Sequence, residues 1–205
     1  SRILVQRGIA ERFIEAFVAR ACSLTVGNPL DHSTEVGPMA FKAHQERVLD
    51  HIARAQSEGA TLLCGGAART DLGDGYFLAP TVFQVDSNQL SLCQEEVFGP
   101  VVSIQVFGDD DEALALANDS RFGLVGYCWT NSLARAQAFQ QRVEAGTLWI
   151  NTPLARDLRA PFGGFKESGI GRDGPRQAAD FFTEEKATIA AIGQPPIRKL
   201  GKTPN

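Results

Sequence analysis

The sequence predicts an α/β protein: a doubly wound, mostly parallel sheet with helices on both faces, plus a C-terminal arm strand. Three observations carry that prediction. Short apolar stretches of strand length alternate with longer segments whose apolar residues recur every three or four positions. The connections between them are dense in Gly, Pro, Asn and Asp. Strands that are apolar throughout and separated by helix-length crossovers belong to a sheet covered on both faces.

The elements follow in order. RILVQ (Arg2 to Gln6) reads as a strand, and the next segment places Ile9, Phe13, Phe17 and Ala21 at intervals of four, with Ile14 and Val18 beside them, as an amphipathic helix does. GNPLDHSTEVGP is a loop. KAHQERVLDHIARAQSEG is a long polar helix with Val48, Ile52 and Ala55 facing inward, ended by Gly59. TLLC (Thr61 to Cys64) and PVVSIQVF (Pro100 to Phe107) are strands, and DDDEALALAND is a helix opened by acidic residues, where the helix dipole favours negative charge. VGYCWT, the helix SLARAQAFQQRVEAG and the strand TLWIN continue the alternation. In that helix Leu133, Ala136, Phe139 or Gln140, and Val143 trace the inner face. After Asn151 the period is lost in RDLRAPFGGFKESGIGRDG. PRQAADFF begins a short helix at a proline, and ATIAAI (Ala187 to Ile192) is a last strand that follows TEEK rather than a crossover helix, so it leaves the main sheet.

Composition narrows the function classes. A chain of 205 residues holds one large domain with an appended arm, and 43% hydrophobic with 21% charged residues is an ordinary globular balance. No apolar run approaches the roughly 20 residues of a bilayer crossing, so no membrane is expected. A net charge of −4 with scattered Lys and Arg offers no basic stripe, so nucleic acid is not an expected partner. SRILVQRGIAERF lacks the apolar stretch of a signal peptide, and a cytoplasmic location is the expectation. Cys22, Cys64, Cys93 and Cys128 form no CxxC pair, and His44 and His51 stand two helical turns apart, so no metal site is expected. The histidines read as surface residues.

GIGRDG (Gly169 to Gly174) satisfies GxGxxG, but a dinucleotide turn also needs a buried strand before it and an acid about 20 residues after it. PFGGFKES cannot be that strand and only polar tail follows. The segment reads instead as a tight loop.

Four other motifs, QEEVFGPV (Gln94 to Val101), FGL (Phe122 to Leu124), GTLWIN (Gly146 to Asn151) and PFGGFKESGIGRDG (Pro161 to Gly174), occur in an order and spacing that resemble the C-terminal part of the NAD(P)-dependent aldehyde dehydrogenases. GNPLDHSTEVGP is similar to a turn-rich loop of the same family. The resemblance implies that residues 1–186 are a partial catalytic domain and 187–205 an oligomerisation strand and tail. It implies that Glu96 meets the nicotinamide ribose hydroxyls and that Phe98 packs by the nicotinamide ring. A carboxylate suits a vicinal diol, and an aromatic face suits a flat heterocycle. Glu95 is left as a solvated acidic turn residue, since neighbours on an extended chain point apart.

Family members attack the aldehyde with a cysteine thiolate, pass hydride to NAD or NADP and hydrolyse the thioester with water activated by a glutamate. The resemblance places that cysteine, that glutamate, an oxyanion asparagine and the nucleotide-binding domain upstream of Ser1. The present residues are then expected to be inactive alone and to bind no cofactor alone, as a fragment of an oxidoreductase of small-molecule aldehydes. All four cysteines read as structural. A Cys93 thiol enzyme is one rival, set back by the nearby carboxylates that raise a thiol's pKa. A stand-alone, non-catalytic binding or assembly module is another.

TPLARDLRA corresponds to the substrate tunnel, and RDLRAPFGG is similar to the branch acting on muconic semialdehydes. Arg156 is thereby the candidate anchor for a substrate carboxylate, with Arg159 as second choice and Phe162 as an apolar wall. The competing reading pairs these arginines with Asp157 or Glu167, the more so for Arg159. ATIAAI resembles the family's oligomerisation strand, so a homo-oligomer is expected.

Overall fold

A computed structural model describes residues 1–153, 155–194 and 201. Its elements run β1 (Arg2–Gln6), a short 3-10 turn, α1 (Ala10–Cys22), α2 (Lys42–Ser57), β2 (Thr61–Cys64), β3 (Thr81–Val85), α3 (Ser91–Gln94), β4 (Val101–Phe107), α4 (Asp110–Asn118), β5 (Phe122–Gly123), β6 (Val125–Cys128), α5 (Leu133–Arg142), β7 (Thr147–Ile150), β8 (Phe165–Lys166) and α6 (Pro175–Phe182).

The main sheet has the order β1-β4-β3-β2. β4 lies parallel to both β1 and β3, and β2 closes the edge antiparallel to β3. Helices cover both faces, as the doubly wound class requires. On one face Val48, Ile52 and Ala55 of α2 meet Phe83, Val85 and Val101, with Leu92, Cys93 and Val97 beside them. On the other, Phe13, Ile14, Phe17 and Val18 of α1 pack on Val5, Val82 and Ile104. The α2 residues singled out by period are thus the ones that bury.

Leu133, expected on the inner face of α5, is 74% exposed at the start of that helix, where only Ala136 is buried, and three further features differ from the sequence expectation. β3 is a central strand that the sequence reading leaves out, because TVFQV, short and broken by Thr81 and Gln84, is neither an apolar run nor an alternation, although Thr81, Val82, Phe83 and Val85 are all buried. β6 and β7 pair parallel with each other, Tyr127 opposite Trp149, and form a two-stranded sheet of their own; β5 and β8 pair antiparallel as another. Ala187 to Ile192 form no strand in the single chain, and Ile189 and Ile192 are fully exposed. Of the expected tail, 195–200 and 202–205 lie outside the described residues.

A buried polar staple holds β1 to the rest. The Arg2 guanidinium donates to Asn88 Oδ1 (3.1 Å) and to the Leu116 and Ala117 carbonyls (2.7 and 2.8 Å), which otherwise end α4 without partners. Asn88 is buried and donates to Asp119, so the pocket's polar atoms are matched.

Candidate functional site

The path from α3 to β4 positions the QEEVFGPV residues. α3 is a single turn, after which Glu95 is extended and Val97 is buried in the core between α2 and the sheet. Alternation then sends successive side chains apart. Glu95 turns to Arg54 of α2 and pairs with it, beside His51. Glu96 and Phe98 turn the other way, into a cleft of about 370 Å³ lined by Phe41, His44, Arg47, Glu96, Val97 and Phe98. Gly99 lets the backbone lie against α2, since a Cβ there would stand 2.8 Å from Val48 Cγ1.

Two properties distinguish this cleft. The Glu96 carboxylate enters no ion pair among the described residues, so it has lone pairs to offer a hydroxyl-bearing ligand. The Phe98 ring is 75% exposed, an apolar face held toward solvent, and its backbone stands at a φ of 52°. The cleft wall supplied by α2 was not legible as a site. Phe41, His44 and Arg47 fall at intervals of three, and the one signal was an apolar Phe41 on a helix face otherwise polar. His44, read from sequence as a surface residue, is half-buried here and bonds the Phe98 carbonyl at 2.8 Å. His51 also departs from that reading, with its side chain only 12% exposed.

The segment after β7 is organised by backbone contacts. Asn151, at a φ of 54°, accepts from Thr130 N–H (2.8 Å) and donates to the Thr130 carbonyl (2.7 Å), and Trp149 Nε1 donates to the Ala155 carbonyl. Phe162 and Asp173 exchange two backbone hydrogen bonds of 2.7 Å, closing the loop that contains GIGRDG. Arg172 donates to the Gly164 and Gly171 carbonyls and lies over the Phe165 ring. A Cβ on Gly163 would fall 2.3 Å from the Gly171 carbonyl oxygen, and one on Gly146 would fall 1.6 Å from that of Gly163. The glycines therefore serve close backbone approach. The strand that precedes Gly169, β8, is two residues long and exposed rather than the buried strand a dinucleotide turn needs, so the conditions for such a turn are unmet.

The three substrate candidates separate. Arg156 sits with its guanidinium carbon 5.3 Å from the centre of the Phe162 ring, a cation–π contact, and makes no ion pair among the described residues. Arg159 is clasped by Asp157 through bonds of 2.7 and 2.9 Å, which hold the Asp157 carboxyl below its ordinary range and raise the Arg159 guanidinium. Its fork is already spent. Glu167 pairs with Arg121 instead of either arginine. None of the three lines the Glu96 cleft, and Leu154 of the same stretch lies outside the described residues.

The cysteines offer no poised thiolate. Cys93 is buried, within 3.6 Å of Ser103 Oγ, and burial is the main force pushing its thiol up. The carboxylate argument made from sequence is secondary to that, and the contributing acid is Glu58 rather than Glu96. Burial also raises Cys128, and burial together with contact from Cys22 pushes Cys64 up to about 11. Cys22 is exposed at the end of α1, not part of the core. Among the described residues no cluster of His, Cys, Asp and Glu could hold a metal ion.

With this geometry in place, comparison with known proteins is direct. The aldehyde dehydrogenase family model matches residues 1–188. A betaine aldehyde dehydrogenase from Rhizobium leguminosarum bv. trifolii is 41% identical over 194 residues, which are 94% of this chain and 40% of that protein. The crystal structure of HpcC from Thermus thermophilus superposes with a TM-score of 0.88 at 39% identity, covering 95% of this chain and 40% of that one. An aldehyde dehydrogenase from Mycobacterium tuberculosis, complexed with NAD+, gives 0.87 at 37% identity over 94% of this chain and 40% of its own. The chain thus spans about 40% of the length of the curated relatives it matches. From the match of the family model over residues 1–188 and these likenesses together, the chain belongs to the aldehyde dehydrogenase family.

Proposed function

We propose that these residues form the nicotinamide-facing half of the active centre of an aldehyde dehydrogenase that oxidises an aldehyde to a carboxylic acid. The observation that carries the proposal is that a carboxylate with no ion pair among the described residues, Glu96, shares one cleft with an exposed aromatic face, Phe98. That combination suits a ribose carrying a flat heterocycle: two acceptor oxygens meet a vicinal diol, and the ring meets the base. NAD, present in related structures, supplies a hydride acceptor when bound. The chain's own part is to orient: Glu96 fixes the sugar and Phe98 limits tilt of the ring above it, so the accepting face is presented in one pose.

None of the four cysteines lines the cleft, and the one nearest in sequence is buried. The attacking thiolate and the glutamate that activates water are therefore assigned to residues outside these 205, and the chain by itself is expected to oxidise no aldehyde. Arg156, backed by Phe162 and without a carboxylate partner among the described residues, suits a substrate that carries its own carboxylate, such as a semialdehyde. Arg159 is a weaker anchor because a substrate would have to displace Asp157. Among the described residues no helix is long and apolar enough to cross a membrane, which is compatible with a cytoplasmic enzyme.

The test is saturation-transfer NMR of reduced nicotinamide mononucleotide with an assembled enzyme that carries these residues together with a nucleotide-binding domain. Transfer to the nicotinamide ring protons is expected, weakened about tenfold by Phe98→Ala and by Glu96→Gln, as loss of one stacking or charged hydrogen-bond contact implies. Transfer that is absent, or unchanged in both variants, would remove the cofactor assignment.

A further inference from the structure

We infer that His44 is a positioning residue that locks the Phe98 ring in the cleft through the Phe98 backbone carbonyl. The inference rests on the proposed role of Phe98, and it starts from a conformational problem. Phe98 occupies the left-handed region at a φ of 52°, where a bulky side chain is disfavoured. Its ring is 75% exposed, so packing of the ring does not hold it there. The neighbours are fixed: Val97 is buried, and Gly99 lies against Val48. Those contacts fix where the chain enters and leaves, but not the orientation of the peptide between residues 98 and 99.

His44 supplies that orientation. Its Nε2 lies 2.8 Å from the Phe98 carbonyl oxygen. A carbonyl only accepts, so Nε2 carries the proton and donates, in the neutral ring as in the imidazolium. The imidazole is itself held, with its ring centre 5.6 Å from that of Phe41 at 44° between planes. It stands on the first turn of α2, a helix anchored in the core by Val48, Ile52 and Ala55. A rigid path therefore runs from the sheet through α2 and His44 to the carbonyl of Phe98. Without the donor the peptide is free to rotate about ψ of Phe98 and φ of Gly99, which removes the contact that holds the left-handed turn and lets Phe98 relax to an ordinary φ, swinging the ring away from Glu96.

Backbone NMR of the 205-residue chain, with no nucleotide present, tests this directly. The amides of Phe98 and Gly99 donate no hydrogen bond among the described residues, so the readouts are the Phe98 carbonyl carbon resonance, which follows the bond that carbonyl accepts, and the three-bond HN–Hα coupling of Phe98, which follows its φ. In His44→Ala and His44→Phe the carbonyl resonance is expected to lose the shift of a bonded carbonyl and the coupling to change, while the amides of Ile52 and Phe83 stay protected from exchange, showing an intact fold. His44→Gln keeps an N–H donor of similar reach and is expected to retain the parent's carbonyl shift and coupling. His44→Phe keeps an aromatic ring near Phe41, so it separates the lost donor from lost packing. Unchanged resonances in the Ala and Phe variants, or a Gln variant that behaves like Ala, overturn the inference. Binding of reduced nicotinamide mononucleotide by an assembled enzyme then distinguishes the two readings: moved resonances with weaker binding support both, whereas moved resonances with unchanged binding uphold the positioning of Phe98 and overturn its role toward the nicotinamide.

Discussion

Arg156 and Arg159 stand three residues apart and do different things. Arg159 and Asp157 form a local fork within one turn of chain, which satisfies both charges on the surface and leaves nothing for a ligand. Arg156 faces a ring instead of an acid, so its charge is stabilised weakly and remains available. In an assembled enzyme, Arg156→Ala is expected to lower kcat/KM for a carboxylated aldehyde by about 10- to 100-fold, the worth of a charge-assisted bidentate pair, with little change for a neutral aldehyde. Equal losses on both substrates would dismiss the anchor. Residue identity alone announced some of these roles and hid others. Glu95 and Glu96 could be assigned opposite directions from strand alternation, as the structure places them. The importance of His44 could not be read, because a helical histidine looks the same whether it faces water or a carbonyl 54 residues away in sequence.

Among the elements, α1 and α2 were the most legible, since one face of each carries its own record of burial. α4 was legible at its first turn: Asp109 accepts from Glu112 N–H at 2.9 Å, Glu112 reaches back to Gly108 N–H at 2.7 Å, and acids fill the positive first turn. Strand β3 was silent because its five residues, with Thr81 and Gln84 among the apolar ones, make neither an apolar run nor an alternation. The glycine-rich loop is a third case, in which sequence announces tightness without saying against what. Gly146 opens β7 and meets Gly163 backbone to backbone, so Gly146→Ala has no flexible side chain to push aside. It is expected to destabilise the chain by about 2–3 kcal/mol, the cost of forced backbone displacement, lowering the denaturant midpoint in urea unfolding without changing the slope. Gly171, where a Cβ would meet open space, is the matched control, and Gly171→Ala should cost far less.

For the whole molecule, the arm after α6 is the feature that the single chain leaves unfinished. Phe181, Phe182, Ile189 and Ile192 are each at least 80% exposed, a concentration of apolar surface unusual for a terminal segment. If Ala187 to Ile192 pair with an edge strand of a second copy, light scattering of the 205-residue chain at about 100 µM will show an oligomer, and Ile189→Lys with Ile192→Lys will return it to monomer by placing charge on that edge. A parent chain that is monomeric, or a double variant that still associates, would show that the arm has another use. The sequence by itself determined the class of the fold, the helices, the inner faces of α1 and α2, and the strands with turn signals on both sides, which are local properties written in period and spacing. The motif that carries Glu96 and Phe98 was legible only through its resemblance to a known family. Tertiary structure alone decided that β4 lies between β1 and β3, that β6 and β7 form a separate pair, that Asp157 occupies Arg159, and that α2 supplies the far wall of the cleft. Each of those joins residues far apart in the chain or chooses among partners of equal chemistry, and such choices depend on which surfaces fit in three dimensions, a quantity that no local pattern contains.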